Sequence, residues 1–137
     1  MLKILVSAIL FTFGASAAAQ AAPVCYSGDF KTFLTDFSEQ LAVQQQTTLA
    51  PLDSQWLVDG EDDPKPVRKK IPADKIKFPV FDLKRERTLH HRQIEVEAAT
   101  ATSARVTVAQ DDSDISVTYY FRKNPCWQLV RMVANTP

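Results

Sequence analysis

The chain has 137 residues, of which 45% are hydrophobic and 23% are charged, and its 16 basic residues balance 16 acidic ones. This charge balance gives no electrostatic reason to expect nucleic acid or an anionic membrane surface as a partner. The length suits one domain with a substantial hydrophobic core, and the sequence contains no internal repeat.

The first predicted element is a secretory signal peptide over residues 1–21. Lys3 supplies the positive start, an apolar run follows, and Ala19-Gln20-Ala21 fits a small-residue cleavage site. A membrane anchor and a buried helix are the alternatives, but the run is short and ends in small residues. We therefore expect a periplasmic or secreted protein, without membrane contact after cleavage, whose single domain covers residues 22–137.

The two cysteines are Cys25 and Cys126. Export favours a disulfide between them, because it delivers the chain to an oxidising compartment. Such a bond would tie the first ordered residues of the mature chain to its last strand. Two separate thiols or a metal pair are the alternatives, and the lack of a His cluster beside the cysteines argues against a metal. We predict the Cys25–Cys126 disulfide and no metal site.

Residues 27–45 have the apolar spacing of an amphipathic helix. Ser27 can cap its start, and Asp29 suits the positive end of the helix dipole. One stripe carries the large apolar residues at helical spacing: Phe30, Phe33, Leu34, Phe37 and Leu41. We predict that this stripe packs on a sheet.

The middle of the chain is less regular. Pro51 stops any helix, so residues 47–58 are predicted as short extended pieces. Residues 60–72 combine two prolines with an acidic and then a basic run, which predicts an exposed loop with local charge pairing. Residues 73–77 suit one helical turn, and 78–81 suit an edge strand or its beginning. The basic run over 83–91 has no clear period.

From Gln93 onward, alternating segments predict a four-strand antiparallel meander. In the third strand, Val117, Tyr119 and Phe121 share one face. Asn124-Pro125 marks the last turn, and a loop of two or four residues there would place Cys126, Val130 and Met132 on that same face. We prefer this register because a paired cysteine belongs on the covered side. A three-residue loop would exchange the two faces.

The preferred register pairs Tyr120 with Leu129 and Arg122 with Trp127, and it leaves a cluster on the outward face of the final hairpin. There, aromatic and Arg side chains of the kind that concentrate binding energy would lie beside apolar ones. Arg131 interrupts an apolar row, and it either lies over Trp127 or anchors an anionic partner. The candidate interface residues are therefore Tyr120, Arg122, Trp127, Leu129 and Arg131.

A helix followed by an antiparallel sheet is an α+β arrangement. The closing VTYYFRKNPCWQLVRM resembles the last hairpin of the nuclear transport factor 2-like superfamily, whose fold is a cystatin-like cone. Within it the chain resembles a bacterial family of exported domains of unknown function, through the Phe-rich helix, Val43-Gln44, Pro51-Leu52 and residues 76–81. The resemblance implies the fold and gives no activity. Enzymes of the superfamily carry an Asp, His or Tyr inside the cone.

No catalytic residue, cofactor or metal ligand is predicted. His90 and His91 are adjacent and would point to opposite faces of a strand, so they cannot chelate together. The DDSD run, residues 111–114, begins like a calcium loop but lacks the Gly and the closing Glu, which favours a β-turn.

We therefore predict an exported, non-catalytic module that binds a protein partner or forms a homodimer through its sheet face. A periplasmic inhibitor or immunity protein is one version of this function. A small-molecule-binding cone with Tyr119 in its pocket is the first alternative. A general acid–base enzyme of the same fold is the second.

Overall fold

The structure is a computed structural model that describes residues 24–136. The predicted signal peptide and its cleavage site lie outside the described residues. The described helices are α1 (Phe30–Glu39), α2 (Leu41–Thr47) and α3 (Lys84–Leu89), with a 3₁₀ turn at Ala73–Lys75. The strands are β1 (Thr48–Val58), β2 (Lys65–Ile71), β3 (Arg92–Ala99), β4 (Ser103–Gln110), β5 (Ser116–Lys123) and β6 (Trp127–Ala134).

The six strands form one sheet in the order β2-β1-β6-β5-β4-β3. Strands β1 and β6 run parallel, and every other neighbouring pair is antiparallel. The predicted α+β class is confirmed, and so is the meander, which forms β3 to β6. The sheet is larger than predicted because β1 and β2 extend it beyond β6.

Strand β2 shows why the prediction of a loop over 60–72 was wrong from Lys65 onward. Its residues Lys65–Ile71 pair along β1 at the edge of the sheet. An edge strand tolerates Pro66 and a row of Lys and Arg, because one side of its backbone needs no ladder partner. Residues that were expected as short extended pieces instead form the 11-residue strand β1.

The predicted helix over 27–45 is two helices separated at Gln40, whose backbone is extended. Asp29 caps α1, since its side chain accepts a hydrogen bond from the Thr32 amide at 2.9 Å, and Ser27 does not take that role. Phe33 and Phe37 are fully buried, as predicted. Leu41 follows the break and is 39% exposed, so it does not belong to the buried stripe.

The side chain of Gln44 explains why residues 78–81 are not a strand. Its amide nitrogen donates to the carbonyls of Phe37 at 3.0 Å and Phe81 at 2.8 Å. Its oxygen accepts from the amides of Val80 at 3.0 Å and Phe81 at 3.2 Å. Gln44 is fully buried, and these bonds replace the strand partners that the segment would otherwise need.

The basic run over 83–91 forms α3, which one buried arginine attaches to the rest of the fold. The Arg87 guanidinium donates to the Ser38 carbonyl at 2.8 Å and to the Asp82 carbonyl. These bonds satisfy carbonyls near the ends of α1 and of the 78–82 segment. The remaining charged residues of α3 stay in water, which accounts for its unclear apolar period.

Aromatic rings fill the space between α1 and the sheet. The ring centres of Phe37 and Phe121 lie 5.2 Å apart, those of Phe37 and Phe81 5.7 Å, and those of Phe30 and Trp127 4.9 Å. Their tilted and edge-on geometries are those that aromatic pairs prefer. The helix therefore covers the face of the sheet that carries Phe121 and Trp127.

The burial of Trp127 and Leu129 corrects the predicted register of the final hairpin. Lys123 pairs with Trp127, so the loop has three residues, which is the length that exchanges the faces. Trp127 is 1% exposed and Leu129 is fully buried, beside Phe121. Neither residue lies on the outward face.

A β-bulge then exchanges the faces a second time. Phe121 pairs with Leu129 while Tyr120 pairs with Arg131, so Val130 is an extra residue without a direct partner. Beyond it, Met132 returns to the covered side, where the preferred register placed it, and Arg131 lies opposite Tyr120. The predicted pairings of Tyr120 with Leu129 and of Arg122 with Trp127 are wrong, since Arg122 pairs with Gln128.

The Cys25–Cys126 disulfide is present, with the two Cα atoms 5.1 Å apart and 101 positions apart in sequence. Hydrogen bonds continue the attachment, because the Trp127 amide donates to the Tyr26 carbonyl at 2.9 Å. The Trp127 indole also donates to the Gly28 carbonyl at 3.0 Å. The segment before α1 is thus fixed to the start of β6.

We predict that Phe33→Ala lowers the free energy of unfolding by about 3–5 kcal/mol, because it leaves a cavity among buried rings. The matched control is Leu41→Ala, which removes an exposed side chain and should change it by less than about 0.5 kcal/mol. Urea unfolding followed by circular dichroism measures both variants. Equal losses would contradict the break between α1 and α2.

The disulfide gives a second prediction. The oxidised protein, denatured without reductant, should not react with a thiol-labelling reagent. Cys25→Ser should lower the free energy of unfolding by about 2–5 kcal/mol, because it releases a loop of about a hundred residues in the unfolded chain. Two labelled thiols in the oxidised protein would refute the bond.

Candidate functional site

The sheet has a second face, opposite α1, on which no helix of residues 24–136 packs; we call it the uncovered face. Direct strand pairing places one residue from each strand in a single row across it. In order, this row contains Lys70, Asp53, Arg131, Tyr120, Arg105 and Ala98. The row thus contains three cations, one aromatic ring and a single carboxylate.

Asp53 is the centre of the charged part of this row. Two guanidinium nitrogens of Arg68 donate hydrogen bonds to its carboxylate, and the distance from Nε to Oδ1 is 2.8 Å. Lys70 Nζ and Arg131 Nε each lie 3.9 Å from Oδ2. The hydrogen bond from Arg68 holds the pKa of Asp53 below its ordinary value, against the opposing effect of burial. The cluster keeps a net positive charge, since three cations surround one anion.

Arg131 is held in place from three sides. Its terminal nitrogen donates to Gln55 Oε1 at 3.1 Å, and its guanidinium carbon lies 5.4 Å from the centre of the Tyr120 ring. The expected contact with Trp127 is therefore wrong, because the bulge at Val130 places Arg131 on the other face from Trp127. A cation over an aromatic face is attracted by the negative charge of the ring surface.

Two hollows flank Tyr120 and Arg122 on the uncovered face. The larger, of about 390 Å³, has Tyr120 and Val130 among its lining and reaches the four cations Arg68, Lys70, Arg122 and Arg131. The smaller, of about 290 Å³, lies towards Arg105. Arg105 is paired with Glu97 at 2.7 Å. Arg122 is exposed, and within residues 24–136 it forms no ion pair.

Of the predicted interface residues, Tyr120, Arg122 and Arg131 come together here, and Trp127 and Leu129 do not. Sequence reasoning missed Asp53 and the basic residues of β2. The expected charge pairing within 60–72 also fails, because Arg68 and Lys70 face Asp53 instead. Alternation in KPVRKKI would have placed Arg68 and Lys70 on one face, had this edge segment been recognised as a strand.

The covered face carries the alternative sites, beyond the end of α1. An apolar cleft of about 320 Å³ is lined by Leu52, Ile76 and Met132, with lysines at its rim. Tyr119 is 4% exposed, and its hydroxyl donates to the Val80 carbonyl at 2.9 Å. Burial raises the pKa of Tyr119, so this hydroxyl stays protonated. The hydroxyl proton is therefore already engaged in a hydrogen bond within the fold.

Asp82 and the two histidines are engaged or exposed as well. Asp82 forms an ion pair with Arg92. His90 ends α3 and lies 3.7 Å from Glu86, and His91 follows it in a left-handed conformation rather than on a strand. Asp112 also has a positive φ within the predicted turn at 111–114. No group of three potential metal-ligating side chains occurs in the described part of the chain.

Comparison with known proteins identifies the fold. The structure is similar to a nuclear transport factor 2-like protein from Bacteroides fragilis, with a TM-score of 0.54 and 16% identity over 81% of this chain and 48% of that one. It is also similar to a cystatin-like protein from Bacteroides caccae, with a TM-score of 0.51 and 22% identity over 80% and 77% of the two chains. The chain has the nuclear transport factor 2-like fold.

This confirms the predicted resemblance at the level of the fold. The chain spans about half the length of the Bacteroides fragilis protein. Both neighbours are named by their fold, and neither name states an activity. The sequence matches no protein-family model and no curated protein. Across residues 24–136, no helix is long and apolar enough to cross a membrane.

We predict that Arg68→Gln raises the pKa of Asp53, because the strongest contact with its ionised form is lost while burial remains. In the wild type the pKa is depressed, so the contact stabilises the fold above the unfolded value of about 3.9. This contribution is lost as the pH falls through the lower folded value.

An NMR titration of the Asp53 carboxyl measures the shift. The matched control is Lys69→Gln, which removes a cation from the same strand on the opposite side and should leave the pKa nearly unchanged. An unaltered Asp53 pKa in Arg68→Gln would contradict the ion pair.

Proposed function

We propose that the chain is a non-catalytic module of an oxidising compartment, periplasmic or extracellular, that makes a protein–protein contact through its uncovered face. The partner is a second protein or a second copy of the chain. The disulfide supports the compartment, because such bonds persist where thiols are not kept reduced. The row across the sheet, with Arg131 held against Tyr120, is the observation that carries the contact itself.

The composition of the uncovered face fits an interface. Tyr and Arg are the residue types in which binding energy concentrates, and Tyr120 lies at the centre of the face between Arg131 and Arg105. Arg131 is already ordered by Asp53, Gln55 and the Tyr120 ring, so docking would cost little further side-chain entropy. An inhibitor or immunity protein would use a surface of this kind.

The charge of the uncovered face determines which kind of partner surface it would bind. Arg68, Lys70 and Arg131 share one carboxylate, and Arg122 adds a further cation at the edge of the same hollow. An acidic partner surface would complement this excess and be attracted to it over several ångströms. A basic surface would be repelled. The proposal is therefore specific to partners that present carboxylates.

A small apolar ligand in the cleft beside Met132 is the second candidate, favoured by the mostly apolar lining of that cleft. General acid–base catalysis has less support, because the Tyr119 hydroxyl donates a hydrogen bond to the Val80 carbonyl and Asp82 is paired with Arg92. A thermal-shift screen with apolar carboxylic acids tests the cleft. Met132→Lys should abolish any stabilisation found there.

Site-specific photo-crosslinking tests the proposed contact. A photoreactive phenylalanine is placed at position 120 of the chain, which is expressed in a cell that exports it. Illumination should link the chain to a protein partner. Arg122→Glu should reduce the yield of this adduct at least about tenfold, which is the effect of losing a strong interface contact. The control position is 31, an exposed site on α1. Adducts of equal yield at both positions, or adducts unaffected by Arg122→Glu, would contradict a contact at the uncovered face.

A further inference from the structure

The basic run over 83–91, which the proposed contact does not use, borders a polar hollow at one edge of the sheet. The hollow has a volume of about 260 Å³ and lies between α3 and the start of the edge strand β3. Its lining consists of Lys84, Arg87, Thr88, His91, Arg92 and Gln93. All six side chains can donate hydrogen bonds, and none of them is a carboxylate. We call this site the α3 hollow.

Helical spacing brings the first part of this lining to one side of α3. Lys84, Arg87 and Thr88 occupy positions i, i+3 and i+4 of the helix, which lie on the same face. His91 follows the helix end in a left-handed conformation, with a φ of 52°, which is common just after a helix. Strand β3 then begins at Arg92. The short turn thus sets the start of β3 beside the polar side of α3.

Two arginines of the α3 hollow are held in place by the fold. Arg87 is 9% exposed, and its Nη1 donates to the carbonyls of Ser38 and Asp82. Its guanidinium carbon lies 5.7 Å from the centre of the Phe81 ring. The Nη1 of Arg92 donates to the carboxylate of Asp82. Because both guanidinium groups are already ordered, they lose little conformational entropy when they bind a ligand.

These bonds leave donors unused on both arginines. A guanidinium group carries N–H donors on all three nitrogens, but within residues 24–136 Arg87 and Arg92 each donate only from Nη1. The Nε of Arg92 is buried and has no hydrogen-bond partner in that part of the chain. A buried donor without a partner costs free energy. Burial also lowers the pKa of Arg87, because it disfavours the charged form. A bound anion would relieve both costs.

The charge that remains in the α3 hollow is positive. Asp82 forms an ion pair with Arg92, and Glu39 favours the charged form of Arg87. Neither carboxylate lines the hollow itself. Lys84 is exposed, and within residues 24–136 it forms no ion pair. The ammonium group of Lys84 therefore adds a positive charge that no neighbouring carboxylate neutralises.

We propose that the α3 hollow binds a tetrahedral oxyanion, namely a phosphate or sulfate group. The planar guanidinium groups of Arg87 and Arg92 match the oxygen spacing of such a group, and Lys84 supplies a further donor and a point charge. A hollow of about 260 Å³ is smaller than sites that enclose a whole ligand, so it would hold the anionic group alone. This inference concerns a second site, away from the uncovered face, and goes beyond the proposed function.

The test titrates the oxidised chain, after removal of its leader, with sodium phosphate and separately with sodium sulfate. NMR follows the Nε–H signals of the arginines. The Arg92 signal should move and saturate at low millimolar concentration, because its buried donor gains an acceptor. Sodium chloride at the same ionic strength is the control for screening and should leave the signal in place. An equal shift in chloride, or no shift with either oxyanion, would overturn the site.

Charge variants at exposed positions locate the binding. Lys84→Glu should weaken phosphate binding at least about tenfold, because it replaces an attractive charge at the hollow with a repulsive one. Gln93→Glu should weaken it as well, since it adds a carboxylate to the lining. The matched control is Arg85→Glu, the same charge change on α3 outside the lining, which should weaken binding much less at physiological salt. Circular dichroism checks that each variant is folded.

Equal losses in Lys84→Glu and Arg85→Glu would show a general attraction to the basic helix and would overturn the site. The oxyanion could belong to a soluble compound or to a lipid headgroup, and two probes distinguish these sources. Glycerol 3-phosphate binding that depends on Lys84 assigns a soluble ligand. Cosedimentation with phosphatidylglycerol vesicles, but not with phosphatidylcholine vesicles, that depends on Lys84 assigns a headgroup. The position-120 crosslink should not depend on Lys84, so failure of this site would leave the proposed contact standing.

Discussion

One extra residue in β6, Val130, determines which side chains form the core and which form the uncovered face. Before the bulge, Trp127 and Leu129 lie under α1, and after it Arg131 lies opposite Tyr120. Without the bulge, strict alternation from Leu129 would send Arg131 towards the aromatic core. Burying its charge there without a partner would be costly. The bulge therefore allows one strand to serve a hydrophobic core and a charged surface.

The core and the surface are coupled through this strand. Trp127 holds the segment before α1 through Tyr26 and Gly28, and the disulfide fixes the same point. The phenylalanine stripe of α1 then packs on Phe121, the neighbour of Tyr120. A well-packed covered side keeps the strands in register, which orders Asp53, Tyr120 and Arg131 on the other side before any partner arrives. Side chains that are already ordered in this way lose less conformational entropy when a partner binds.

Periodicity was enough to predict the helix stripe, the meander and the fold class, because burial forces those patterns on the sequence. It failed where burial does not produce a regular pattern in the sequence. Only Val67 and Ile71 of the edge strand β2 are half-buried, and the buried amide of Gln44 carries no periodic signal. The length of the last turn leaves no mark in the alternation either, so Trp127 and Leu129 were placed on the wrong face. The charged cluster was missed for the same reason, since Asp53 and Arg68 are neighbours only after β1 and β2 pair.

Overall neutrality concealed a separation of charge that matters more than the total. Acidic residues gather in two loops at one end of the sheet, while several basic ones gather on the uncovered face. Such a distribution leaves the net charge unchanged, but it makes one end of the sheet acidic and the uncovered face basic. It supports the proposed recognition of an acidic protein surface.

The most direct test of this account is hydroxyl-radical footprinting of the oxidised protein, alone and with the partner that the position-120 crosslink captures. Trp127 should stay unreactive in both states, because it lies in the core, while Tyr120 should react in the free protein and become protected as the contact forms. Tyr119 serves as the internal reference, since it is buried in either state. Reactive Trp127, or Tyr120 that reacts equally in the free and associated protein, would contradict the account.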